Sequence, residues 1–242
     1  MSHDCCRVYE HDATRTITGN TIRPGGIALT EVALGHCTLL SGTRVLDVGC
    51  GAAATIEYLT DTRRVRAIGL DLSWALLSAS CQRRRDLPVT QANGENLPFP
   101  SGSFDILLAE CCLSLMDDGD RALAEFARVL RAGGTLILSD IYARNSDEIP
   151  IARRLPLACC LSKALSLEWL QTRLIHHHLR MTLWEDHTAA LNSLAAQIIF
   201  AHGSLEHFWR TLVGDSLNAH ALTGVTARLK PGYFLLLAQK ET

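Results

Sequence analysis

The chain has no apolar run approaching the roughly 18 residues that a membrane-spanning helix needs, so a membrane-embedded protein is not expected. Its opening residues, Met1-Ser2-His3-Asp4, carry neither the basic segment nor the apolar segment of a secretion signal, and the expected location is the cytoplasm. Charge of one sign is also missing. With 23 Lys and Arg against 25 Asp and Glu, the formal charge is -2, and there is no broad basic field to hold a phosphate backbone. A nucleic-acid partner is therefore not expected, and a small-molecule partner fits better. No Cys-x-x-Cys spacing occurs, and nine cysteines, an odd number, exclude full pairing within the chain. No G-K-[ST] string occurs, which excludes a P-loop, and there are no repeats or low-complexity tracts.

What is there suffices for a core. Of 242 residues, 48% are hydrophobic and 20% charged, near the globular average, and the length suits one domain carrying an inserted piece. From Arg44 onward, apolar runs rich in β-branched residues alternate with helical patterns. The expected strands are Arg44–Val48, Arg66–Leu70, Val89–Gln91, Phe104–Ala109 and Thr135–Ser139. Ala52–Thr60, Ser73–Arg84 and Asp120–Leu130 read as helices, the last opening on an Asp120 N-cap and closing at Gly133-Gly134. Right-handed crossovers turn that order into a doubly wound α/β sheet. Beyond Asp140, Ser166 caps an expected helix through Leu174, Leu179–Glu185 reads as a strand, and a helical stretch from Thr188 to about Leu212 precedes a last strand, Tyr233–Ala238.

Val45-Leu46-Asp47-Val48-Gly49-Cys50-Gly51 is an apolar strand running into a glycine turn, where the missing Cβ atoms let backbone approach a ligand. About twenty residues on, Asp71 ends the second strand, where a carboxylate receives the hydroxyls of a ribose. A dehydrogenase would share these features. However, G-C-G-A-A falls short of the dinucleotide fingerprint, and no second mononucleotide-binding half follows Asp140.

V-L-D-V-G-C-G at Val45–Gly51, I-G-L-D-L-S at Ile68–Ser73, E-N-L-P-F-P-S-G-S-F-D at Glu95–Asp105 and V-L-R-A-G-G-T-L at Val129–Leu136 together resemble the class I S-adenosylmethionine-dependent methyltransferases. The nearest resemblance is to the group around the ubiquinone and menaquinone C-methyltransferases. It implies a Rossmann-like, seven-stranded sheet, mostly parallel with the last strand antiparallel, and a late helical insertion over about residues 188–222. It also implies a single domain over 1–242, with an arm or lid at 1–40, a cofactor half at 41–140 and a substrate half at 141–242. S-adenosyl-L-methionine would be the cofactor, a small molecule the acceptor, and no metal is expected. Carried over by position, Asp47, Gly49, Cys50 and Gly51 would lie beside the methionine part, Asp71 and Leu72 at the ribose, Asn93 and Gly94 at the adenine, and Glu110 beside the methionine part again. Ala53 replaces a frequent third glycine, and Asn93 stands where an aspartate is common.

No catalytic base stands out, and proximity can supply much of a methyl displacement. By position, Asp140, Tyr142, Glu185 and His187 are candidates to meet the acceptor. Three adjacent cysteine pairs, Cys5-Cys6, Cys111-Cys112 and Cys159-Cys160, are placed to meet at one mouth, with Cys111 and Cys112 at the sheet's ligand edge. Such thiols suit a soft metalloid such as arsenite, an alternative acceptor; cofactor binding without transfer is another. Arg23, in a turn-rich stretch, reads as either a lid residue that reaches a carboxylate or part of a packed arm. His176-His177-His178 reads as a surface turn, and the arginines at 63, 64, 66 and 83–85 as a solvated face.

Overall fold

Strands buried on both faces need no polar alternation, and the central strands show none. Instead, successive side chains divide between two cores. Val45, Ile106, Leu108 and Ile137 pack on one face, and Leu46, Leu107, Leu136 and Leu138 on the other. In the computed structural model, which describes residues 8–155, 157–213 and 219–241, these strands form one sheet of seven. They are β1 (Arg44–Val48), β2 (Arg66–Asp71), β3 (Val89–Gln91), β4 (Phe104–Glu110), β5 (Leu130–Ala143), β6 (Leu179–Asp186) and β7 (Pro231–Lys240). Their order is β3-β2-β1-β4-β5-β7-β6, with β7 antiparallel to both neighbours and β1 to β5 parallel. This is the expected Rossmann-like architecture. The strand order reverses between β1 and β4, so a crevice opens at their carboxyl ends.

Helices α1 (Asp12–Thr18), α2 (Gly26–Gly35), α3 (Ala54–Thr62), α4 (Trp74–Arg83), α5 (Gly119–Val129), a short α6 (Ile149–Ala152), α7 (Leu167–His176), α8 (Thr188–His202), α9 (Leu205–Val213) and α10 (Ala219–Leu229) complete the described fold. Leu29 and Leu34 of α2 and Ile56 and Leu59 of α3 cover one face; Leu123 and Phe126 of α5 and Leu170 and Leu174 of α7 cover the other. Ser166 caps α7 through the Trp169 amide, as its sequence suggests. A third apolar cluster, including Val8, Cys159, Phe208 and Trp209, lies among the N-terminal arm, the segment after β5 and α9.

Boundaries differ from expectation: β5 and β7 extend beyond the expected Thr135–Ser139 and Tyr233–Ala238, and three differences have a local cause. The α3 helix starts at Ala54 rather than Ala52 because Ala53 takes a left-handed φ of 62°, prolonging the turn. The α5 cap is Asp118, whose side chain accepts from the Arg121 amide; Asp120 lies in the first turn, where it meets His177 Nε2 at 2.8 Å. Gly133-Gly134 does not close α5 but lies within β5. There Phe104 pairs with Leu130 and Ile106 with Thr135, so residues 131–134 bulge out, with Gly133 at φ 70°.

Candidate functional site

At the carboxyl end of β1, Gly49 (φ 73°) and Gly51 (φ 54°) turn the chain toward α3. Glycine is required at 49 on two counts, since a Cβ there would run into the Cys112 side chain. The turn is locked to the end of β2: the Gly51 amide donates to Asp71 Oδ2 at 2.7 Å and the Ser73 amide to Oδ1 at 2.8 Å. Burial raises the Asp71 carboxyl above its ordinary range, and these amides oppose the rise. Ser73 also caps α4 and donates to Glu10 Oε1 at 2.5 Å, bringing the arm over the crevice.

The floor of the crevice is a buried ionic cluster. Arg23 Nη2 lies 2.9 Å from Glu110 Oε2, with side chains only 8% and 4% exposed. Thr30 Oγ1 donates to Glu110 Oε1 at 2.8 Å and Thr55 Oγ1 to Oε2 at 3.2 Å. The Arg23 proton is held more tightly than usual: burial works against it, but the charges of Glu110 and Asp47 outweigh burial. Burial raises Asp47 strongly, the Glu110 charge adds to this, and Arg23 partly relieves it. Asp47 and Glu110 thus share one guanidinium, an excess of negative charge suited to a cationic ligand. Arg23 Nε is buried and has no hydrogen-bond partner among the described residues. Such a donor fits an incoming anionic group.

Arg23, Glu110, Asp71, Ser73 and the glycine turn line a cavity of about 60 Å³ whose wall also includes Tyr9, Thr21, Ile22, Cys111, Cys112 and Leu115. A second cavity of about 370 Å³ adjoins it, with Tyr9, Ile22 and Cys111 in both walls. The larger cavity lies under α1, α8 and α9, outside the sheet.

The structure brings Gly49, Cys50, Gly51, Asp71 and Glu110 into the crevice wall, whereas Asp47, Leu72, Asn93 and Gly94 are not in the wall of this cavity. Asn93 Oδ1 is already occupied by the Glu95 amide at 2.9 Å, and a Cβ at Gly94 would meet Met116 and Val48. Two substrate candidates move away. Asp140 is fully buried and accepts from the Ser114 amide, Ser114 Oγ and the Ile141 amide, leaving it no free reach. Tyr142 turns to the opposite face of the sheet, packs against Trp184 and Phe234 and donates to Asp186 at 2.6 Å. Asp186 in turn accepts from the Thr188 amide just before α8, and His187 pairs with Glu185 at 2.8 Å.

The cysteine pairs do not meet as units. Cys5-Cys6 lies outside the described residues. Cys112 is buried beneath the glycine turn, its thiol 3.1 Å from the Val48 carbonyl, and Cys159 joins the outer apolar cluster. Cys111 and Cys160 do converge, Sγ to Sγ 3.1 Å, with the Tyr9 hydroxyl 2.8 Å from Cys160 Sγ. Cys111 takes φ 59°, and its amide donates to Ser139 at 2.6 Å. Asp140 lies behind them, its carboxylate within 4.8 Å of both sulfurs. Sequence reasoning missed Tyr9, Thr30 and Thr55, which reach the site from distant segments without a motif. Ser73 carried a signal, as a capping residue directly after Asp71-Leu72.

Residues 46–138 match the family model described as a methyltransferase domain. The phthiotriol/phenolphthiotriol dimycocerosates methyltransferase 1 of Mycobacterium ulcerans (strain Agy99) is 43% identical over 114 residues, 46% of this chain and 41% of that protein. The fatty-acid O-methyltransferase of Mycolicibacterium smegmatis is 34% identical over 165 residues, 60% of this chain and 59% of that protein. Over these stretches the chain is similar to methyltransferases. It spans about half the length of the curated relatives it matches. Among solved structures, the [4+2]-cyclase SpnF superposes with a TM-score of 0.76 at 22% identity, over 98% of this chain and 94% of that one. The Haemonchus contortus phosphoethanolamine N-methyltransferase 2 with S-adenosyl-L-methionine gives a TM-score of 0.71 at 18% identity, over 97% and 57%. Both show the fold alone. Among the described residues, no helix is long and apolar enough to cross a membrane.

Proposed function

We propose that the chain transfers the methyl group of S-adenosylmethionine to an apolar small molecule held in the larger cavity. The observation that carries this reading is the crevice itself: a glycine turn locked to Asp71, beside buried carboxylates and the unpartnered Nε of Arg23. A ligand with a cationic sulfur, an ammonium, a carboxylate and a ribose diol matches those groups in charge and kind. On this reading Gly49, Cys50 and Gly51 lie against the methionine part, Asp71 and Leu72 serve the ribose, and Asn93-Gly94 bounds the adenine through backbone. Asp47 and Glu110 face the ammonium, and Arg23 the carboxylate. Residues 1–40 act as an arm over the site, 41–140 as the cofactor half and 141–242 as the acceptor half.

The bound cofactor would supply an electrophilic methyl group and a neutral thioether leaving group. What the chain adds is alignment and exclusion of water, which suffices for much of the rate of an in-line displacement. The arm residues Tyr9 and Ile22 close the crevice from solvent, and Cys111 marks where the two cavities meet. The named relatives favour lipid-like acceptors over the quinones suggested by the narrower motif resemblance, and the apolar cavity favours the same choice.

Calorimetry with S-adenosylhomocysteine, followed by transfer of labelled methyl groups to a lipid extract, tests the proposal. Failure to bind the nucleoside overturns it. Binding without transfer would favour a second reading, a cofactor-binding protein that is not a transferase; the near full-length likeness to a cyclase gives that reading its support. Methylation of a thiol-bound metalloid would depend on Cys111 and Cys160, and labelled transfer to arsenite would reveal it.

A further inference from the structure

The two adjacent cysteine pairs within the described residues are divided among three apolar clusters. Cys112 belongs to the core on one face of the sheet and Cys159 to the outer cluster, whereas Cys160 lies in the core on the other face and Cys111 packs against it. Cys111 Sγ and Cys160 Sγ thereby meet at 3.1 Å, although 49 positions separate them along the chain. Their neighbours hold the contact. The Cys160 amide donates to the Tyr9 hydroxyl at 3.0 Å, which occupies a lone pair of that oxygen and leaves its proton for Cys160 Sγ at 2.8 Å. Cys111 is the more open of the two, partly exposed in the wall of the crevice, while Cys160 is only 3% exposed.

The proposed methyl displacement uses neither sulfur. We infer that Cys111 and Cys160 are a redox-active dithiol, a modification site that hydrogen peroxide closes to a disulfide and a small thiol reopens. Peroxide is of the size that a crevice of about 60 Å³ admits. The Cys111 sulfur takes one oxygen as the O–O bond breaks, giving a sulfenic acid and one water. Cys160 Sγ then attacks the Cys111 sulfur, forming the S–S bond and releasing the second water. Two thiols lose two electrons and two protons, and one peroxide becomes two waters.

The hydrogen bond to Cys160 and burial hold the Cys111 proton more tightly than in a free thiol, so the first step is slow and selects a strong oxidant. The second step joins sulfurs already in contact, and this proximity lets it outrun further oxidation to a sulfinic acid. A disulfide of about 2.05 Å draws the two sulfurs together by about 1 Å. Cys111 stands in the walls of both cavities and Cys160 in that of the larger one, so the bond ties the end of β4 to the segment after β5 where the two cavities meet. Resting on the methyl-transfer reading above, this is the point at which donor and acceptor face each other.

Millimolar hydrogen peroxide given to the full chain, followed by peptide mapping, tests the inference. The expected product is a peptide linking Cys111 to Cys160, lighter by two hydrogens, reversed by dithiothreitol, absent in Cys160→Ser and retained in Cys159→Ser. Closing a loop of about fifty residues in its native geometry should raise Tm by about 5 °C or more. Labelled methyl transfer to the lipid extract should fall about tenfold or more on closure and return with dithiothreitol, since a displacement of about 1 Å at a transfer site costs up to about a hundredfold. Absence of the linked peptide, a bond within either adjacent pair, a sulfinic acid at Cys111 in place of the link, an unchanged or lower Tm, or unchanged transfer after full closure overturns the inference. The link and the Tm shift are read without any methyl acceptor. Their failure in a chain that still binds S-adenosylhomocysteine leaves the methyl-transfer reading standing, whereas failure of the reduced chain to bind the nucleoside overturns that reading and leaves the dithiol.

Discussion

Replacing Arg23 with alanine removes the only guanidinium of a cluster in which Glu110 is 4% exposed and Asp47 fully enclosed. Glu110 would keep two hydroxyl donors, Thr30 and Thr55, but no countercharge. Removing one partner of a buried pair typically costs about 3–5 kcal/mol, because the remaining charge stays desolvated. Against a total stability of about 5–15 kcal/mol, that is about a fifth or more of what holds the chain folded. For a chain of this size it lowers Tm by about 6–20 °C. Urea denaturation of Arg23→Ala reads the loss directly, and Arg23→Ala with Glu110→Gln should recover at least half of it, since the stranded charge is then gone. The deficit should also shrink on acidification, because Asp47 already takes up a proton more readily than an ordinary aspartate and does so still more without Arg23. A loss below about 1 kcal/mol, or a double variant no better than the single one, would refute the reasoning that the pair is a desolvated, interdependent unit.

Asp71→Asn should weaken S-adenosylhomocysteine binding by about ten- to a hundredfold, the worth of one charged hydrogen bond, and calorimetry showing less than a twofold change would remove Asp71 from the ribose role. Burial pushes the Asp140 carboxyl up to about 6, so it binds a proton more readily folded than unfolded; its contribution is full below about pH 4 and is lost as pH rises through 6. The unmodified chain should therefore lose about 2 kcal/mol more stability than Asp140→Asn between about pH 4.5 and 7.5, and parallel pH profiles would contradict the assignment. Amide exchange in residues 16–34 should slow on adding S-adenosylhomocysteine, because a 60 Å³ crevice cannot admit a nucleoside unless the arm shifts and then reseats; equal exchange would make the arm a static wall. At neutral pH iodoacetamide should reach partly exposed Cys81 before buried Cys112, Cys159 and Cys160, while diamide should join Cys111 to Cys160, seen as the loss of two hydrogens from one linked peptide; equal labelling of all thiols would show that these side chains are accessible.

The sheet was legible because its signals are local. Each apolar run from β1 to β4 is bounded by its own turn residues, and Gly49, Gly51 and Asp71 sit at strand ends, where the chain itself marks the ligand edge. Boundaries went astray where neighbouring residues offered rival solutions: Asp118 and Asp120 both suit an N-cap, and Ala53 extends the turn through a left-handed conformation that its composition does not announce. The acceptor side was not legible for a different reason. Tyr9 meets Cys160, and Cys111 meets the same thiol across dozens of residues, by packing that no short-range pattern encodes. Tyr142 illustrates the limit: strand alternation puts neighbours on opposite faces, and a shift of one position separates a residue of the cavity wall, Ile141, from one of the opposite core.

Glu110 and Cys111 are adjacent, yet one serves the ionic floor and the other the wall shared with the apolar cavity, because the chain turns at Cys111 itself, which takes a left-handed φ of 59°. That single kink is a seam between two inheritances. Most of the crevice wall lies within the stretch that matches the shared domain, with Tyr9, Thr21, Ile22 and Arg23 added by the arm, whereas the apolar walls come mostly from segments before and after it. Diversification, natural or engineered, can therefore act on α1, α8 and α9, which line the larger cavity and not the crevice. On the proposed reading, a chimera that keeps Tyr9, Ile22, Arg23 and residues 44–140 and exchanges those helices would be the direct route to new acceptors.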